Sequence, residues 1–183
     1  MGKRLSKIYT KTGDSGTTAL ADGARISKTN IRVKLMGAVD HLNSCIGVIR
    51  AEQIDQDIDA MLTKVQHHLF DIGGELCMPE LTAINDSVLE ELEESIDLMN
   101  SELQPLKEFI LPGGSKVAAA LHMARTQSRL VETQFVELHE QSAQRSQLLS
   151  YINRLSDWLF VAARFQLLKN GNAEILWSNP YKK

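Results

Sequence analysis

Over five separate stretches of this chain, apolar side chains return at every third or fourth residue, the spacing that lays one stripe along an α-helix. The first runs from about Ser27 to Ala51 with Leu35, Val39, Leu42, Ile46 and Ile49 in step. The second, about Asp57 to Cys77, carries Met61, Val65, Leu69, Ile72 and Leu76. In the third, Ser87 and Glu90 have the spacing of a capping box ahead of Leu89, Leu92, Ile96 and Met99. Ser115 offers an N-cap for the fourth, which reaches about His139 through Leu121, Ala124, Ser128, Val131, Phe135 and Leu138. The fifth spans about Ser146 to Asn170, with Leu148, Ile152, Leu155, Leu159, Ala162 and Phe165. An apolar stripe is best covered by another helix, so the expected fold is all-α, an antiparallel five-helix bundle.

Three segments break the period. "YTKTGDSGTTAL", Tyr9 to Leu20, has little to bury and is rich in threonine and glycine, a composition that favours turns. "LQPLKEFILPGG" places the apolar run Phe109, Ile110 and Leu111 between Pro105 and the turn residues Pro112, Gly113 and Gly114. After Gly171, a natural helix stop, a short extended tail remains. A chain of 183 residues can form one domain with a substantial core. The expected division is a single domain over 1–183, with an N-terminal segment 1–26, a bundle 27–170 and a tail 171–183.

Composition excludes several classes. A formal net charge of -3 argues against a nucleic-acid binder, which needs a clustered basic face. No run of about 18 apolar residues occurs and no signal-like segment follows the basic start, so neither membrane spanning nor secretion is expected. Cys45 and Cys77 stand apart without metal-site spacing, which fits a reducing cytoplasm. Gly2 and Ser6 satisfy the loose acylation pattern, but so short a match carries little weight.

The chemistry-bearing residues fall in three places. The Glu-x-x-His pairs of a di-metal bundle are missing, although His67, His68 and Asp71 share a helical turn, and "GGSK" lacks the spacing of a P-loop. In the fourth helix, Arg125, Arg129 and Glu132 project from one side at i, i+4 and i+7. Two readings stay open there: Glu132 neutralises Arg129 while Arg125 reaches a neighbouring helix, or the arginines form an anion site. Asn153 and Asp157 share a face of the fifth helix. "TKTGDSGTT" could wrap phosphates with backbone N–H groups and hydroxyls, with Asp14 available to a divalent cation. Lys11, Lys28, Arg125 and Arg129 together supply four cations, a match for a triphosphate.

"IYTKTGDSGTTAL", "VDHLNSCIG", "LFDIGGEL", "FILPGG", "ARTQSRLVE" and "YINRLSDWLFVAAR" occur in the order and at the separations of the propanediol-utilisation type of ATP:cob(I)alamin adenosyltransferase. The chain resembles that family over nearly its whole length. The resemblance implies a homotrimer of five-helix bundles with ATP between neighbouring subunits. Thr10, Lys11, Thr12, Gly13 and Thr18 would enclose the nucleotide, Lys28 would join them, and Arg129, Glu132 and Asn153 would complete the site from the adjacent chain. Asp40 would pair with Arg125 across the interface. Co(I) of cobalamin would attack the ribose 5′ carbon of ATP and expel triphosphate, helped by Mg²⁺ and by Lys and Arg. Phe109 would sit at the lower face of the corrin and exclude the axial ligand that makes Co(II) hard to reduce. Arg129 and Glu132 would act with it in catalysis.

A reductase and an adenosylcobalamin-dependent enzyme are the implied partners. The chain departs from the family at His41, where "VDELN" is common, and at Leu130 and Thr133, where "RRAER" supplies two arginines. Those two changes bear on phosphate affinity, and they leave room for a second reading: an adenosylcobalamin carrier or sensor with weak catalysis.

Overall fold

The computed structural model describes residues 9–181. Gly2 and Ser6, and the ends of the N-terminal segment and tail, lie outside them. The chain opens with an antiparallel hairpin of β1 (Thr17–Ala19) and β2 (Arg25–Ser27), in which Thr18 faces Ile26. Five helices follow: α1 (Ile31–Arg50), α2 (Gln56–Cys77), α3 (Asp86–Ser101), α4 (Lys116–Gln141) and α5 (Ser146–Lys169). The periodic stretches therefore became helices, but α1 begins four residues later than its apolar pattern suggests. Residues 25–27 are taken by the hairpin, and the Asn30 side chain caps α1 by accepting from the Arg32 N–H at 2.9 Å.

Capping corrects a second expectation. Ser87 is inside α3, and the cap is Asn85, whose carboxamide oxygen accepts from the Val88 N–H at 3.3 Å while the Ser87 hydroxyl donates to that same oxygen. Asn and Ser are comparable caps, so the helix starts at whichever has the extended backbone, here Asn85. Ser115 caps α4 as its spacing implies, accepting from the Ala118 N–H at 3.1 Å. Gly171 stops α5 with φ +66°, and the Asn172 N–H returns to the Leu167 carbonyl.

α4 packs on both α5 and α1, α1 on α2, and α3 on α5. Tethers fix the directions. Arg32 donates to the Leu76 carbonyl, so the start of α1 meets the end of α2. The Asp55 N–H donates to Gln166, so the start of α2 meets the end of α5. Along α3 and α5, however, Asp86 meets Gln147, Glu93 meets Arg154, Ser95 meets Trp158 and Glu102 meets Lys169, all in ascending order. These two helices run parallel, which corrects the wholly antiparallel bundle. Both α3 and α4 pack on α5, on different sides of it, so the chain leaving α3 crosses the end of α5 to reach α4. That is the physical reason for the long segment 102–115 containing Phe109.

The core lies along the bundle axis, with Trp158, Tyr151 and Phe135 its largest fully buried side chains. Several of the polar groups admitted to it are bonded. The Trp158 indole donates to Ser95, and Ser128 donates to the Ile152 carbonyl. Glu75 takes the Ile84 N–H at 2.8 Å and Arg145 at 2.6 Å, closing the end of the bundle nearest the hairpin.

Candidate functional site

The threonine- and glycine-rich opening folds into a compact turn ahead of β1. Lys11 sits at φ +59°, an unusual backbone for a residue with a side chain, and the Asp14 N–H returns to its carbonyl. The Gly16 N–H bonds the Gly13 carbonyl at 3.2 Å, and Gly16 itself needs φ +80°. Lys28, which ends β2's turn into α1, donates its backbone N–H to Gly16 and lays its side chain over Gly13. Thr10 and Thr12 share a hydroxyl hydrogen bond at 2.9 Å, and Thr18 is half-buried in β1. So Thr10, Lys11, Thr12, Gly13, Thr18 and Lys28 are gathered into one exposed loop, with hydroxyls and two ammonium groups around its turns.

Arg25 holds that loop together and escaped the sequence reading. Its Nη2 donates to the Thr12 carbonyl at 2.7 Å and also to Thr17. An arginine in a three-residue strand has no periodic signature; only the hairpin pairing reveals what it reaches.

A second group forms on α4 and α5. The Asn153 Nδ2 donates to Glu132 Oε1 at 2.8 Å, so Glu132 is oriented by α5 and does not pair with Arg129. Among the described residues no side chain bonds the exposed Arg129 guanidinium. Arg125 is half-buried, and its Nε is shut from solvent without a hydrogen-bond partner. Burial, and then the charge of Arg129, pushes its pKa down. The first of the two readings loses its ion pair, since Glu132 is bonded to Asn153; two like charges so close together suit an anion beside them. Arg129, Glu132, Leu130, Thr133 and Val136 border an open cleft of about 400 Å³. The Thr133 hydroxyl is turned back to the Arg129 carbonyl at 3.0 Å, and Leu130 is exposed. Asp157 is exposed and takes no part in this group.

Asp40 stands exposed on α1, its neighbour His41 likewise. Among the described residues no ion pair joins Asp40 to Arg125 within the chain. Asp40 instead borders a groove of about 830 Å³ between α1, α2 and the hairpin, floored by Val39, Leu69 and Gly73 beside the exposed Phe70. Phe109 is 77% exposed in the crossover, its ring tilted against Trp177 with centroids 6.2 Å apart. Trp177 was missed because nothing in the sequence announces that the tail comes back to the crossover.

Three candidate groups are thus present but separate within the chain: no hydrogen bond or ion pair among the described residues connects the loop of residues 10–28, the α4–α5 group and Phe109. Among the described residues no group of three or more His, Cys, Asp or Glu side chains could hold an ion by itself. His68 instead shares a hydrogen bond with Tyr151 at 3.1 Å.

Residues 8–166 match the family model described as cobalamin adenosyltransferase. A cobalamin adenosyltransferase of Cupriavidus metallidurans is 45% identical over 178 residues, covering 97% of each chain. Two structures from Lactobacillus reuteri are similar throughout. One, a phenylalanine-to-alanine variant of a PduO-type ATP:corrinoid adenosyltransferase complexed with cobalamin and ATP, has a TM-score of 0.89 at 35% identity, covering 94% of this chain and 100% of that one. The other, an arginine-to-lysine variant complexed with ATP, has a TM-score of 0.86 at 36% identity, covering 93% and 99%. The bundle and these likenesses define an ATP-dependent transferase acting on corrinoids. The chain belongs to the cobalamin adenosyltransferase family, and its reaction moves the adenosyl group of ATP to cobalamin.

Proposed function

We propose that the chain makes adenosylcobalamin at sites shared between neighbouring subunits of a homotrimer, with triphosphate released. The observation that carries this reading is the pair Arg125 and Arg129, uncompensated among the described residues, while the loop that suits phosphates lies elsewhere. A neighbouring subunit brings the two together. Thr10, Lys11, Thr12, Gly13, Thr18 and Lys28 then hold the nucleotide from one side, and Arg129, Glu132 and Asn153 from the other. Asp40 pairs with the partly buried Arg125 across the boundary and fixes the arginine row.

Cobalt of the substrate supplies the nucleophile, so the protein's task is alignment and charge. The loop and α4 hold the ribose 5′ carbon in line and stabilise negative charge on the departing triphosphate. Mg²⁺ fits as an ion carried by the phosphates, since such ions take one or two protein carboxylates at most; Asp14 and Glu132 are the carboxylates present. When bound it would screen phosphate charge. Phe109, exposed on a braced loop, covers the lower face of the corrin and excludes an axial ligand. Supporting these roles, the phenylalanine and arginine altered in the two Lactobacillus reuteri structures are 20 positions apart in that order, as are Phe109 and Arg129.

The setting is the cytoplasm, with a reductase supplying electrons and an adenosylcobalamin-dependent enzyme receiving the product; no helix among the described residues is long and apolar enough to cross a membrane. Leu130 and Thr133 favour a second reading, a carrier or sensor with slow turnover, because neither adds a cation to the cleft. An anaerobic assay with reduced cobalamin, ATP and Mg²⁺ separates them: repeated turnover is expected, and stoichiometric binding alone would mean a carrier. Mixing Lys28→Ala with Arg129→Ala, each inactive alone, tests the shared site. Activity should return on subunit exchange, because the mixture rebuilds intact sites; no recovery would place both residues in one chain's site.

A further inference from the structure

Arg164 lies near the end of α5, 5% exposed, and grips two pieces of chain outside its helix, one of them 60 residues away. Its Nη2 donates to the Gln104 carbonyl at 2.8 Å, and its Nε donates to Glu174 at 2.5 Å. Gln104 stands early in the crossover, and Glu174 stands early in the tail. A few residues on, these two pieces meet directly. Ile110 and Leu176 form an antiparallel bridge, the Leu111 N–H donates to Ile175 at 2.8 Å, and the Trp177 N–H donates to the Phe109 carbonyl at 2.7 Å.

Packing alone cannot set this geometry. Phe109 and Leu176 are exposed, and a cavity of about 240 Å³ lies between Leu103, Gln104, Arg164, Leu168, Asn172 and Glu174. The fork of one guanidinium spans that gap, serving a carbonyl on one side and a carboxylate on the other, which a lysine ammonium cannot do with the same rigidity. The far end of the crossover is fixed separately: Gly114, at φ +91°, lies so close to Leu167 that a Cβ there would stand 2.8 Å from it.

We propose that Arg164 is a positioning residue for the corrin step: by holding Gln104 and Glu174 on one guanidinium, it sets the register of crossover against tail and hence the place of the Phe109 ring. The inference rests on the reading of Phe109 given above. None of the residues assigned to ATP lies in these two segments, so nucleotide binding is spared.

Arg164→Lys and Glu174→Gln test it beside Phe109→Ala, in the full chain. In both clamp variants amide exchange at Leu111 and Trp177 should quicken by about tenfold or more, as expected when a local tie is lost. The four-coordinate Co(II) signal of cobalamin with ATP should weaken at least about threefold while KM for ATP stays within about twofold. If Arg164→Lys fails to fold, Glu174→Gln carries the test, since its side chain lies outside the helices. Unchanged exchange overturns the clamp. Quickened exchange with full four-coordinate signal, while Phe109→Ala loses that signal, makes Arg164 structural only. If Phe109→Ala keeps the signal, the Phe109 reading itself has failed, and the role of Arg164 in the corrin step falls with it.

Discussion

The Lys28 ammonium lies 3.1 Å from the point where a Cβ on Gly13 would stand. Gly13 therefore leaves room for a cation directly over the turn, and its own backbone needs no left-handed conformation. Gly13→Ala should displace only the mobile end of Lys28, at little cost to the fold. The melting temperature should hold while KM for ATP rises, by about tenfold if one charge-assisted phosphate contact worth roughly 1.5–3 kcal/mol is weakened. An unchanged KM would show that Lys28 serves something other than phosphate.

Arg125 and Asp40 should behave as one unit. The buried, unpartnered Nε of Arg125 needs an acceptor, and among the described residues no ion pair engages the carboxylate of the exposed Asp40. Asp40→Asn and Arg125→Ala should each lower activity and loosen the trimer, as followed by sedimentation. The double variant should be little worse than either single one, a coupling of about 1–3 kcal/mol. Full additivity would separate the two residues.

The bundle was legible because each helix advertises a buried stripe, and the inward residues of α4, from Leu121 to Leu138, fall where the period puts them. Direction was not legible. Periodicity is blind to whether α3 and α5 run together, and only cross-helix pairs such as Arg154 with Glu93 reveal it. The hairpin escaped because strands of three residues are too short to show alternation. At the site, the loop and Arg129 stood out by chemistry. Arg25, Arg164 and Trp177 did not, because their work is done through backbone carbonyls and tail contacts that no local pattern encodes.

Stability should fall on mild acidification. Burial holds His68 below its ordinary 6.5, with Asp71 and Glu91 opposing and His67 and Lys64 adding to the shift. Burial does the same to His122, assisted by Arg125 and opposed by Glu174. As pH drops through 6.5 the unfolded chain takes up protons that the folded chain still refuses, so the unfolded state gains. The stabilisation is complete above 6.5 and lost as pH falls toward the folded values. Melting temperature should therefore decline between about pH 7.5 and about pH 5.5, and less steeply in His68→Gln, which can still bond Tyr151. An identical decline in the variant would clear His68 of the effect.

Phe109→Ala should separate reduction from transfer. The ring is exposed on a loop braced by the tail, so its loss opens no core cavity and the variant should melt with wild type. With the ring gone, water or the cofactor's own base can reach the lower face of cobalt, and Co(II) stays five-coordinate and hard to reduce. The residues proposed to hold ATP lie on other segments, so KM for ATP should hold. Activity begun from Co(II) with a weak reductant should fall by about a hundredfold or more, equivalent to roughly 2.7 kcal/mol of barrier. Supplying Co(I) chemically should restore most of it, because transfer itself needs only alignment of cobalt with the ribose carbon. Electron paramagnetic resonance of Co(II) cobalamin with ATP reads the cause directly: a four-coordinate signal in wild type should vanish in the variant. Equal signals in both would leave the ring without a role in reduction.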